Sequence, residues 1–179
     1  AGSAALVTFA PEAEEMRFIL RSNGHELEKM YVPAGGMRIP HGPETGLAAR
    51  HKDGSARSLD DLYMDGFGIF TFTMTEQPKL LRDILAYSGK GVEDIDYFIL
   101  HQANRYIVET ITRKAGIPPA KAPSDVFPRF GNQNSASIPG VLCASLAGAL
   151  NKHKVHAVLQ GFGTGLSWGA CQLELDDIL

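Results

Sequence analysis

Apolar positions fall along this chain in short runs and stripes separated by Gly, Pro and Asn. Ser3 to Ala10 is an apolar run ended by Pro11, and Met16 to Ser22 is a second β-like run closed by Asn23-Gly24. From Pro33 to Ser58 neither period is present, and irregular segments of that length tend to be binding elements or disordered. Met64 to Met74 fits two patterns: Phe70, Phe72 and Met74 alternate as in a strand, while Phe67, Phe70 and Met74 stand at helical spacing. The next stretch is plainer. Thr75 serves as N-cap, Pro78 falls in the first turn, and Leu80, Leu81, Ile84 and Leu85 form a stripe before Gly89.

Tyr97 to Leu100 reads as a short buried strand with His101 at its carboxyl end. Asn104 then caps a helix whose inner face is Ile107, Val108 and Ile111 and which stops at Gly116. Pro118, Pro119, Pro123 and Pro128 make a turning connection. Ser137 to Leu150 is expected as a helix with Pro139 in its first turn, its small residues from Ala144 to Ala149 permitting close packing. Val155 to Gln160 and Ser167 to Leu175 read as two strands joined by Gly161-Phe162-Gly163-Thr164-Gly165. Strands alternating with helices indicate α/β layers, and no internal repeat is visible.

The composition narrows the class. A chain of 179 residues with 44% hydrophobic and 21% charged residues is an ordinary globular mix, not a disordered chain, coiled coil or collagen. A formal charge of −3 gives no general attraction to nucleic acid. No apolar run reaches the roughly 18–20 residues of a membrane span, and the first residues lack the basic region of a signal peptide. Two cysteines, Cys143 and Cys171, form no disulfide framework and match no metal spacing, which makes a reducing cytosol the simplest home. Both are expected to be buried and inert. His153 and His156 have a spacing that can ligate metal but no third ligand nearby in sequence, so a solvated loop pair is expected.

Three segments can carry chemistry. His101-Gln102-Ala103-Asn104 stands where a strand ends and a helix begins, the usual place for ligands in α/β sheets. His101 there can be a general base, a hydrogen-bond donor, a metal ligand or a partly buried structural histidine. Arg129 to Ser137 holds Gly131, suited to a tight or left-handed turn, and Asn132, an amide at the approach to a helix that Ser135 or Ser137 can cap. In Gly161-Phe162-Gly163-Thr164-Gly165 alternate glycines let the backbone approach a ligand and aim N–H groups at an oxyanion; a plain β-turn is the competing reading. A strand follows this turn where a dinucleotide fingerprint needs a helix, so the nucleotide reading fails.

Taken together, these segments resemble the C-terminal half of a β-ketoacyl-acyl carrier protein synthase III, in the thiolase-like superfamily. The matching pieces are Ile95-Asp96 before the strand ending His101-Gln102-Ala103-Asn104, then Arg129-Phe130-Gly131-Asn132, then Phe162-Gly163-Thr164-Gly165-Leu166-Ser167-Trp168-Gly169. The likeness runs from about Asp94 to the end, with Met16 to Asn23 similar to the strand opening the second half. Residues 1–10 look like the last strand of the preceding half, and Pro33 to Arg57 matches loosely. The resemblance implies a helix over Met64 to Leu85. It implies an α/β fold over residues 1–179: a thiolase-like half-domain, a mixed β-sheet with helices packed on it, belonging to a longer polypeptide.

The activity so implied is a decarboxylative Claisen condensation of an acyl-CoA primer with a malonyl-acyl carrier protein, with no cofactor and no metal. His101 and Asn132 are then the histidine and asparagine of a Cys-His-Asn triad. Thr164 offers a backbone N–H to the oxyanion, while Asn104, Gly131 and Gly163 lie along the CoA or pantetheine arm. Arg105, Arg113 and Lys114, with Lys121 and Arg129, form a basic surface for the carrier protein or an ordinary solvated helix face. Two departures stand out: the nucleophilic cysteine belongs to the preceding half, and Tyr106 stands where many relatives carry Arg. The implied partners are that half and a second copy in a homodimer, in the cytoplasm. Alone the chain is expected to be inactive and to expose an apolar face. Other readings are a different thiolase-superfamily acyltransferase and a non-catalytic module binding CoA or carrier protein.

Overall fold

The computed structural model describes residues 1–150 and 153–175. In chain order it contains β1 (Arg17–Ser22), β2 (Met30–Tyr31), β3 (Ala49–Arg50), β4 (Ala56–Arg57), β5 (Tyr63–Met64) and the long helix α1 (Gly66–Ser88). These are followed by β6 (Tyr97–Leu100), α2 (Arg105–Ala115), α3 (Val126–Phe130), α4 (Ser137–Val141), α5 (Ala147–Leu150), β7 (Val155–Gly163) and β8 (Ser167–Leu175). The main sheet has four strands in the order β1-β8-β7-β6. β7 and β8 are an antiparallel hairpin and β1 is antiparallel to β8, while β6 runs parallel to β7 with Leu100 opposite Gln160. It is the mixed sheet with helices that the sequence implied.

Alternation along β6 explains its unbroken apolar run. Phe98 and Leu100 join Leu80, Leu81, Ile84, Ile107 and Ile111 from α1 and α2, whereas Ile99 points the other way to Val141, Leu146 and Leu150. A strand covered on both faces needs no polar positions. Cover is incomplete at β1. Ile19 packs on the α1 side, but Phe18 is 53% and Leu20 79% exposed on the opposite face. Ser3 to Ala10 has no strand partner among the described residues, and Leu6, Val7 and Phe9 are exposed.

The ambiguous stretch resolves as helix, and its start is not Thr75. Asp65 is the N-cap, its Oδ1 accepting the Gly68 N–H at 2.9 Å. Thr75 sits inside α1 with its hydroxyl donating to the Thr71 carbonyl at 3.0 Å. Pro78 is therefore interior, where it lacks the N–H that Met74 would receive. Lys114 of α2 supplies a substitute, Nζ donating to the Met74 carbonyl at 3.1 Å. The cap at Asn104 is as read from sequence, Oδ1 accepting Ile107 N–H at 2.8 Å, and Gly116 closes α2 at φ 75°.

The expected helix over 137–150 exists, but with a wide π turn, Leu142–Leu146, between α4 and α5. Its buried apolar residues are Val141, Leu146 and Leu150, a step of five and then four. That phase turns Cys143 outward, so it is exposed rather than buried. Neither Ser135 nor Ser137 caps α4: the cap position is Ala136, and the Ser137 hydroxyl is buried without a partner among the described residues. Pro33 to Ser58 carries only the β3–β4 ribbon and turns pinned by side chains, as where Asp53 accepts the Ser55 N–H at 2.9 Å.

Candidate active site

Parallel pairing delivers two chain exits to one rim. β6 ends at Leu100, and the ladder continues one residue further through the His101 N–H to Gln160 O at 2.8 Å. β7 ends beside it at Gly163 and enters the turn of Thr164 and Gly165, whose link to Leu166 is a cis peptide. The His101 ring stands edge-on to Phe162, centroids 5.1 Å apart at 88°. Phe162 meets Phe72 at 6.1 Å, and Phe72 meets Trp168 at 5.1 Å, so aromatic packing fixes the imidazole from behind. Burial pushes the imidazole below its usual pKa, opposed by a backbone interaction with Asn134. At neutral pH it is an uncharged donor and acceptor.

Gln102, fully buried, ties this corner down. Its Nε2 donates to the Leu100 and Pro123 carbonyls, each at 3.1 Å. The sequence reading passed over it because a buried glutamine has no periodic signature.

Asn132 arrives from the other side. Gly131, at φ 73°, ends α3 with its N–H on Phe127 O at 2.8 Å and turns the chain inward. The Asn132 Oδ1 then accepts the N–H of Asn134 at 2.9 Å, a local turn of the kind asparagine favours. Asn134 itself is left-handed at φ 52°. With Oδ1 occupied, the NH2 of Asn132 is the part of the amide left to donate.

These groups share one cavity of about 640 Å³, lined by His101, Asn104, Asn132, Asn134, Gly163 and Thr164 on its polar side. Gly131 is not in the wall; it shapes the turn one residue before it. The apolar side comes from places the sequence reading did not assign to a site. Met30 and Met64 face each other across the β2–β5 ribbon, and Phe70 and Phe72 come from α1. No Lys, Arg, Asp or Glu among the described residues lines the cavity.

The basic residues have other engagements. Arg105 pairs with Glu109 at 2.7 Å, Arg113 reaches Thr110 Oγ1 at 3.5 Å, and Lys114 holds Met74. Lys121 Nζ donates to the carbonyls of Val92, Glu93 and Ile95 at 2.9, 3.1 and 2.6 Å, clipping the loop ahead of β6. Arg129 bonds Asp125 at 3.5 Å.

His156 does have potential co-ligands, contrary to the sequence reading. Glu14, His156 and Glu174 offer atoms within 4.8 Å of one another, while His153 stays exposed and apart. Lys90 meets Glu14 at 3.0 Å and Lys154 meets Glu174 at 2.8 Å, so these carboxylates are already matched by cations. Neither cysteine lines the cavity. Cys171 is half-buried, its thiol pushed up to about 11 by burial, which leaves it protonated at neutral pH.

A mixed sheet in the order β1-β8-β7-β6 with helices packed on it is the architecture of a thiolase-like half-domain. Comparison with known proteins is specific. The family described as 3-oxoacyl-[acyl-carrier-protein (ACP)] synthase III C terminal matches residues 85–175. A β-ketoacyl-[acyl-carrier-protein] synthase III of Symbiobacterium thermophilum is 31% identical over 174 residues, 97% of this chain and 50% of that protein. A crystal structure of a 3-oxoacyl-(acyl-carrier-protein) synthase III superposes with TM-score 0.84 at 30% identity, covering 93% of this chain and 50% of the other. A 3-oxoacyl-(acyl-carrier protein) synthase of Burkholderia xenovorans gives 0.81 at 30% identity, covering 91% and 45%. The chain belongs to the 3-oxoacyl-[acyl-carrier-protein] synthase III family and corresponds to its C-terminal half. It spans about half the length of the curated relatives it matches. Among the described residues no helix is long and apolar enough to cross a membrane.

Proposed function

We propose that this chain is the C-terminal half of a cytoplasmic condensing enzyme that joins an acyl-CoA primer to a malonyl-acyl carrier protein in fatty acid or related biosynthesis. The observation that carries this reading is the sharing of one uncharged cavity by His101, Asn132 and the Gly163–Thr164 turn. When a malonyl thioester loses CO2, the pair of electrons of the broken C–C bond moves onto the thioester oxygen as an enolate. A neutral imidazole N–H and the Asn132 NH2 are two donors for that oxygen, beside apolar walls and with no charged side chain among the described residues of the lining. The enolate carbon then attacks the acyl thioester carbonyl, and the cysteine thiolate leaves. The backbone N–H of Thr164 serves the oxyanion of the acyl-transfer step, while Asn104 and Gly163 line the arm.

The nucleophilic cysteine belongs to the preceding half, in keeping with the lack of a thiol in the cavity wall. That half covers the exposed face of Phe18 and Leu20, and the assembled enzyme is a homodimer. Alone the chain is expected to form no acyl adduct on Cys143 or Cys171 when mixed with acyl-CoA. The absent thiol equally suits a second reading, a non-catalytic module that binds CoA or carrier protein. A different thiolase-superfamily acyltransferase would be recognised by use of acetyl rather than malonyl donors.

The test is His101→Ala in the full-length enzyme. Malonyl decarboxylation should be abolished while acylation of the cysteine remains measurable by mass spectrometry. Equal decarboxylation by variant and parent would refute the role given to His101.

A further inference from the structure

One residue of β7 is fastened through both its backbone and its side chain. The Gln160 carbonyl accepts the His101 N–H at 2.8 Å, the rung that follows the last residue of β6. Its side chain lies under α1, where Nε2 donates to the Gln77 carbonyl at 2.8 Å, a buried bond spanning 83 positions of sequence. Gln77 is fully buried and Gln160 only 2% exposed. Phe162 comes two residues after Gln160 in β7 and so projects to the same face, where it meets Phe72, five residues before Gln77 in α1. Two ties thus join α1 to β7 in a short closed circuit. The His101 backbone hangs on one corner of it, and the imidazole stands against another, 5.1 Å from Phe162.

We propose that Gln160 is a positioning residue for the chemistry at His101: its side-chain amide fixes α1 against β7 and, through the Phe72–Phe162 contact, aims the imidazole. This goes beyond the condensing reading, which names the donors but not what holds them, and rests on it for the kinetic consequence. Apolar ring packing resists separation but is soft to sliding, because burial of apolar surface is non-directional. A hydrogen bond in a dry interior is directional and stops the slide. Without it α1 is free to shift lengthwise, carrying Phe72 off Phe162 and letting the imidazole turn. Gln77 takes part through its backbone alone; both polar atoms of its side chain lack a partner among the described residues. As an interior residue of α1, Gln77 keeps the helical partner of its carbonyl when the Gln160 amide is removed, so the loss falls on alignment rather than on folding. Misaligned donors weaken the transition state alone, which lowers kcat and leaves KM in place.

The experiment uses the full-length enzyme and reads malonyl decarboxylation together with the His101 imidazole resonance in NMR, assigned by its loss in His101→Ala and displaced by the Phe162 ring current. Gln160→Met keeps the shape of the side chain and removes the donor. It is expected to lower kcat about tenfold with KM within about twofold, and to move the His101 resonance toward its position in Phe162→Ala. Gln160→Leu gives the same reading in a second shape. Adding Gln160→Met to Phe162→Ala should cost little more, since both open the same circuit. Gln77→Met keeps the acceptor and is expected to match the parent in rate and resonance. An unmoved resonance in Gln160→Met, a raised KM with unchanged kcat, additivity with Phe162→Ala, or equal losses in Gln77→Met would each overturn the proposal. The two readings fail separately. A resonance that moves as expected in an enzyme without decarboxylation leaves the role of Gln160 standing and removes the condensing reading. Decarboxylation by the parent with an indifferent Gln160→Met does the reverse.

Discussion

Lys114 Nζ lies 3.1 Å from the carbonyl oxygen of Met74, the acceptor that Pro78, four residues later in α1, leaves without a helical N–H. The contact joins α1 to α2 at the place where α1 would otherwise have an orphan carbonyl. A charged donor on such a group contributes about 1.5–3 kcal/mol when buried; with Lys114 largely exposed, about 1 kcal/mol is the fitting figure. Lys114→Met should therefore lower stability by about 1 kcal/mol in denaturant unfolding. In a Pro78→Ala background the alanine N–H takes over the carbonyl, and the same lysine substitution should do almost nothing. Additive effects in that double-mutant cycle would show that the two sites are independent.

Asn132 depends on the left-handed backbone of Asn134, whose N–H holds its Oδ1. Glycine adopts that conformation without strain; a β-branched residue does not. Asn134→Gly should keep most malonyl decarboxylation in the full-length enzyme. Asn134→Val should lower it roughly tenfold or more, since strain of about 1–3 kcal/mol must be relieved by moving the loop. On the proposed mechanism Asn132→Ala removes one enolate donor and should cost about 10²–10³ in rate. Equal rates in the glycine and valine variants would mean that the turn does not hold the amide.

The buried imidazole sets a pH limb. His101 has its pKa lowered by desolvation, so it stays neutral to a pH below the ordinary 6.5. Decarboxylation should be flat through neutrality and fall only as pH drops through that lowered value. Stability has a related dependence. Below about 6.5 the unfolded chain takes up the proton first, so stability decreases as pH falls and levels off beneath the folded pKa. Phe162→Ala lets water reach the ring and should move the acid limb of the rate profile upward, toward 6.5. An unmoved limb would assign the titration to another group.

The isolated 179-residue chain exposes Phe18 and Leu20 on one face of β1. Sedimentation at micromolar concentration should give a mass above that of the monomer, and Leu20→Glu should shift it toward the monomer. A monomeric parent would show that this face is tolerated in water.

Much of the site was legible because its signals are local. A strand ending in histidine and an asparagine cap three residues on lie within a few residues, and each was found where the pattern put it; the glycine turn expected over Gly161–Gly165 is shorter, because β7 runs on to Gly163 by pairing Gly161, Phe162 and Gly163 with β8. The errors came where a distant group decides. Thr75 and Pro78 look like a helix start until one sees that Asp65 caps earlier and Lys114, 40 residues past Met74, repairs the proline gap. Cys143 was misplaced because a single π turn changes the phase of the buried stripe, which no fixed period reveals. Met30 and Met64 meet only through a ribbon closed across the irregular segment, so the cavity's apolar wall had no sequence signature.

The pairing of Leu100 with Gln160 also bears on how this scaffold tolerates change in length. Side chains alternate between faces along β6, so one inserted or deleted residue within Tyr97–Leu100 would rotate the imidazole to the opposite side of the sheet. Outside the short β3–β4 pair, the long excursion between β2 and β5 has no such phase to keep. Engineers lengthening or trimming this domain have wide latitude in that excursion and almost none across the four residues that aim His101.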